Sequence, residues 1–173
     1  MLEENEKKTF LVIEDNINNC LSGDVAKLAL DFVSFLESNE MMIELNMFWN
    51  QQGNFWFAKY KGIEGVCFIL VDGSVDIPGS WEIFTGESDE SAPECNTDDE
   101  KLKAMAWQHI NFCGGADCGG ICSPGTQKTI LGKEFDNVCG SAMAFHNPNA
   151  ETVGYVKKLM MLVKSAIDKT QIC

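Results

Sequence analysis

One segment constrains this chain more than any other: Phe112-Cys113-Gly114-Gly115-Ala116-Asp117-Cys118-Gly119-Gly120-Ile121-Cys122-Ser123-Pro124-Gly125. So many glycines leave no helical or strand period, and glycine's freedom at positive φ lets a backbone wrap tightly. Three cysteines sit on that backbone as Cys-x4-Cys-x3-Cys, and Cys139 follows further along. Thiolates hold zinc in a tetrahedron at about 2.3 Å, and structural sites take four protein ligands. The spacing therefore predicts a structural zinc knot over 112–139, with Cys113, Cys118, Cys122 and Cys139 as ligands. His109, four residues before Cys113, is the rival fourth ligand; its ordinary role would be a helix-face histidine bonded to a carbonyl. An iron–sulfur cluster is the second metal reading, but the plant-type spacing Cys-x4-Cys-x2-Cys is only approached. Lys128 and Lys133 are close enough in sequence to offset the two negative charges of a zinc tetrathiolate.

Eight cysteines would suggest disulfides in a short secreted chain. Here the opening MLEENEKKTFLVIEDN mixes acids with its lysines and leads into no long apolar stretch, so no signal peptide is expected. No run of about 20 apolar residues marks a membrane span. The expected location is the cytoplasm, where thiols stay reduced.

Charge narrows the partners. All 13 basic residues are lysines, against 26 acids, for a net charge of −13. Residues 1–100 hold 21 acids and 5 lysines, whereas residues 101–173 hold 5 acids and 8 lysines. A nucleic-acid binder needs a cationic surface to release counterions, and arginine supplies the bidentate fork for guanine and phosphate. Nucleic acid and anionic membranes are therefore not expected partners. The lysine-bearing second part can face either an acidic partner or the chain's own acidic loop.

The rest of the chain reads as α+β: an antiparallel sheet of four to five strands with about three helices. An apolar fraction of 45% suffices for a core. Val25, Leu28, Ala29, Phe32, Val33 and Leu36 predict a helix over 24–38, with Asp24 as its N-cap. Alternation at Ile43, Leu45 and Met47 predicts a strand, the aromatic run 55–60 a second, the apolar run 66–71 a central strand covered on both faces, and 81–84 a fourth. Asp72-Gly73 signals a hairpin turn. Thr97 and Glu100 form a capping box that opens a helix over 98–110. Val138 to Phe145 is β-prone, and Asn147-Pro148 opens a last helix over 148–169. The domain is expected to span 22–173, after an N-terminal extension over 1–21 and with a solvated acidic loop over 86–97. That loop lacks the EF-hand pattern.

Catalytic motifs are sparse. Gly120 to Thr126 starts like a phosphate loop, but Thr126 stands where lysine is required. Two histidines, His109 and His146, give general acid–base chemistry little to work with. The leading function is a cytosolic, non-catalytic zinc protein. One alternative is a thiol-based redox or transfer enzyme using Cys118 or Cys122, although the usual Cys-x-x-Cys is absent. Another is a small-molecule sensor whose pocket is lined by Trp49, Trp56, Tyr60 and Trp81.

Three stretches also carry a resemblance: PGSWEIFTG (78–86), FCGGADCGGICSPG (112–125) and KTILGKEFDNVCGSAMAFHNPNAE (128–151). They resemble a group of small uncharacterised proteins of gut clostridia and related Firmicutes, from about residue 22 to the last helix. Against that group, Gly114 to Asp117 looks like an insertion between the first two cysteines. The resemblance implies no activity; the arginine-free, lysine-only composition also fits an AT-rich genome, in which GC-rich arginine codons are scarce.

Overall fold

A computed structural model of the protein describes residues 12–46, 54–72, 78–85, 97–114 and 124–170. Four helices lie among them: α1 (Ile13–Cys20), α2 (Gly23–Ser38), α3 (Glu100–Gln108) and α4 (Ala150–Thr170). The strands are β1 (Met42–Leu45), β2 (Asn54–Tyr60), β3 (Ile63–Val71), β4 (Trp81–Thr85), β5 (Ile110–Phe112), β6 (Thr126–Ile130) and β7 (Lys133–His146). All pair antiparallel in one seven-stranded sheet ordered β1-β2-β3-β4-β7-β5, with β6 joined to β7. The class is α+β with an antiparallel sheet, as the patterning predicts, but it has seven strands rather than four or five, and four helices rather than three. The additional strands lack a local signal. β5 is three residues long, and β6, Thr-Gln-Lys-Thr-Ile, has a single apolar residue. Both exist because β7 offers them a ladder.

The tight hairpins are made by residue pairs able to adopt positive φ. Lys61-Gly62 (49° and 80°) joins β2 to β3, and Leu131-Gly132 (48° and 80°) joins β6 to β7. Asp72 also has positive φ, but the predicted tight Asp72-Gly73 hairpin is not what joins β3 to β4, because Val71 pairs with Trp81; Gly73 lies outside the described residues.

Alternation then decides which side chains meet the helices. Along β2, Trp56, Ala58 and Tyr60 are buried, whereas Phe55, Phe57 and Lys59 are half-buried. The buried set faces the helices: the Trp56 indole N–H donates to Asn16 of α1 at 3.0 Å, and the Tyr60 hydroxyl to Asp168 of α4 at 2.9 Å. Phe32 of α2 meets Trp81 of β4 at 6.3 Å between ring centres. On the opposite face Phe55 stacks on Phe68 at 5.2 Å and approaches Phe84 at 6.4 Å. β3 is therefore not equally covered on both faces as predicted, because Phe68 and Leu70 stay half-buried while Cys67, Ile69 and Val71 are fully enclosed.

Helix boundaries follow the periodicity, but their caps differ from the predicted ones. Asp24 lies within α2, one residue inside its start, and pairs with Lys27. Asp99, not Thr97, caps α3 by accepting from the Leu102 N–H at 3.0 Å. Asn149, not Asn147, accepts from the Thr152 N–H at the start of α4. Asn147 instead accepts from the Trp81 N–H, tying the end of β7 to β4. Among the described residues, no helix is long and apolar enough to cross a membrane.

Candidate metal centre

The strand β7 is the platform for the cysteine segment. Val138 pairs with Phe112 of β5 on one side and with Thr126 of β6 on the other. Ala144, further along, pairs with Phe84 of β4 on one side and donates to the His109 carbonyl on the other. So β5 lies along one edge of β7, while β4 and β6 follow one another along the opposite edge. The connection from β5 to β6 therefore joins opposite edges of β7, a crossing whose residues 115–123 lie outside the described ones.

The base of that crossing is pinned. The Cys113 N–H donates to the Asn137 carbonyl at 2.8 Å, and the Asn137 side-chain amide donates back to the Cys113 carbonyl at 3.1 Å. Asn137 sits at φ 57°, a left-handed conformation that asparagine tolerates better than most residues. Gly125 closes the other end. A Cβ built there would stand 2.6 Å from the Cys113 Cβ and 2.5 Å from Asn137 Oδ1. Gly125 is thus required by close approach and not by a special φ. Cys139 is two residues beyond Asn137 on β7, and both Cys113 and Cys139 are half-buried. Cys118 and Cys122 lie outside the described residues, as does Trp49.

Between the described ends of β4 and β6, two side chains bond to the β7 backbone. Thr85 Oγ1 accepts from the Met143 N–H at 3.0 Å. The Lys128 ammonium donates to the Gly140 carbonyl at 3.0 Å, one residue after Cys139. Lys133 is held elsewhere, with its ammonium 5.1 Å from the ring centres of both Trp107 and Phe135.

His109 is the C-cap residue of α3, and its ring lies 4.7 Å from that of Phe145. It borders a cleft of about 330 Å³ between α3 and α4, with Glu151, Thr152 and Tyr155. The extended β5 separates it from Cys113 by about 13 Å at strand rise. That makes His109 a poorer companion for Cys113 than Cys139 is. Among the described residues, no group of three His, Cys, Asp or Glu side chains converges on one point.

The remaining described cysteines are not nucleophile-like. Complete burial pushes the Cys67 thiol up to about 12. The Cys20 thiol is also raised, first by burial and then by the Asp72 charge. Both stay protonated at neutral pH, whereas a reactive cysteine needs a lowered pKa. The tryptophans proposed as a pocket are packed: Trp56 is 2% exposed and Trp81 1%. Tyr60 is buried with them. An open groove of about 360 Å³ lies instead on the helical layer between Phe35, Leu102, Met161 and Leu162.

Sequence spacing missed Asn137 and the reason for Gly125. The adjacent Asp136-Asn137 in a β-prone run was the available signal for a bulge, since asparagine is enriched at left-handed positions. Compared with known proteins, the chain matches no family model, no curated protein and no solved structure.

Proposed function

We propose that this is a zinc-binding protein in which Cys113, Cys118, Cys122 and Cys139 hold one structural ion at the crossing over β7. The observation that carries the reading is the pinned base. Cys113 is fixed opposite Asn137 by two hydrogen bonds, so Cys139 is its diagonal neighbour across the β5–β7 pair. Diagonal positions in an antiparallel pair stand about 7–8 Å apart. That exceeds the Cα separation a disulfide spans, about 4.4–6.8 Å. Two thiolates bound to a common ion, each about 2.3 Å from it, cover it comfortably. Cys118 and Cys122 belong to the segment whose two ends meet at this base, which gives them short tethers to the same point. The role is structural: a fourfold thiolate shell leaves zinc no open position for substrate.

Metal analysis of protein purified without added zinc tests this. One zinc per chain is expected, lost in the Cys118→Ser/Cys122→Ser double variant together with part of the thermal stability. Protein that stays metal-free after incubation with excess zinc, with all four thiols titrating, overturns the reading.

A further inference from the structure

We draw no further inference here: the strongest candidate, the apolar groove between α2, α3 and α4 floored by Phe35, Leu102, Met161 and Leu162, is lined by lysines already paired within the chain, Lys157 with Asp31 and Lys158 with Asp99, and nothing in the structure shows what covers it.

Discussion

Gly125 is the residue on which the geometry of the crossing depends most sharply. A single methyl group there would stand 2.6 Å from the Cys113 Cβ and 2.5 Å from Asn137 Oδ1. The obstacle includes backbone, since the Asn137 carbonyl carbon is 2.8 Å away, so a rotamer change cannot relieve it. Overpacking of this kind costs about 1–3 kcal/mol. Gly125→Ala is therefore expected to lower the urea midpoint at unchanged m-value, whereas Gly132→Ala would act through its positive φ alone, since nothing lies within 4 Å of its added Cβ. A Gly125→Ala protein as stable as wild type would mean that the base of the crossing is open. The buried thiol makes a second prediction at this scale. With its pKa pushed up to about 12, Cys67 has almost no thiolate at pH 8. It should resist alkylation in the native protein and react once the chain is unfolded in denaturant. Rapid native labelling of Cys67, located by mass spectrometry, would contradict the enclosed β3 face.

The elements differ in how they are held, and α3 is the most dependent on its first turn. Asp99 accepts from the Leu102 N–H and also meets the Lys158 ammonium at 3.2 Å. The first of these contacts, then the second, holds its carboxyl below the usual aspartate range. A carboxyl whose folded-state pKa is depressed stabilises the fold above its unfolded value, and that contribution disappears as pH falls through the folded value. Asp99→Ala should therefore lower the thermal midpoint at pH 7. The gap to wild type should narrow with acidification below about 3.9, the ordinary aspartate value. Asp99→Asn, which keeps an acceptor for the cap, should lose less than Asp99→Ala. A wild-type-minus-variant difference independent of pH would remove the charge from the account. Periodicity made α2 and α4 legible because Phe32, Val33 and Leu36, then Val153, Val156 and Met160, are apolar neighbours on a helix face and are buried. β1 was legible by alternation, and β2 by its aromatic, β-prone run. Their caps were not, because Asn147 spends its side chain on Trp81, 66 residues away, and local rules do not see that bond. β5 and β6 were illegible because their reason for being strands lies in β7. At the proposed centre, the cysteine spacing pointed to the segment between β5 and β6, but the pairing of Cys113 with Asn137 is a tertiary fact.

At the scale of the whole molecule, part of the charge asymmetry between the two parts of the chain is met by ion pairs between them. Three lysines of α4 reach acids of the first hundred residues: Lys157 to Asp31 at 2.5 Å, Lys158 to Asp99 at 3.2 Å and Lys164 to Glu40 at 3.1 Å. Lys61 returns the pairing to Asp168 at 2.6 Å. None of these acids lies in the acidic loop over 86–97 that the sequence offered as the alternative to an acidic partner. Pairs this exposed are screened by solvent and salt, and they orient α4 more than they hold the fold together. Cohesion comes from the layer between helices and sheet, which reaches back to α1. Ile13 and Ile17 are buried there, followed by Leu21. Asn16, also buried, accepts from the Trp56 indole at 3.0 Å and donates to the Cys20 sulfur at 3.4 Å. Truncating Asn16 to Ala would leave a buried indole N–H without its acceptor, a loss of about 1–3 kcal/mol. Trp56→Phe in the Asn16→Ala background should recover part of that loss, because the orphaned donor is then gone. A chain starting at Ser22 should fare worse than Asn16→Ala, since it uncovers the Trp56 face of the sheet as well as the indole. It is expected to give a broad, poorly cooperative thermal transition with strong binding of a hydrophobic dye. A sharp transition at the wild-type midpoint would instead show that residues 22–173 complete the core without α1.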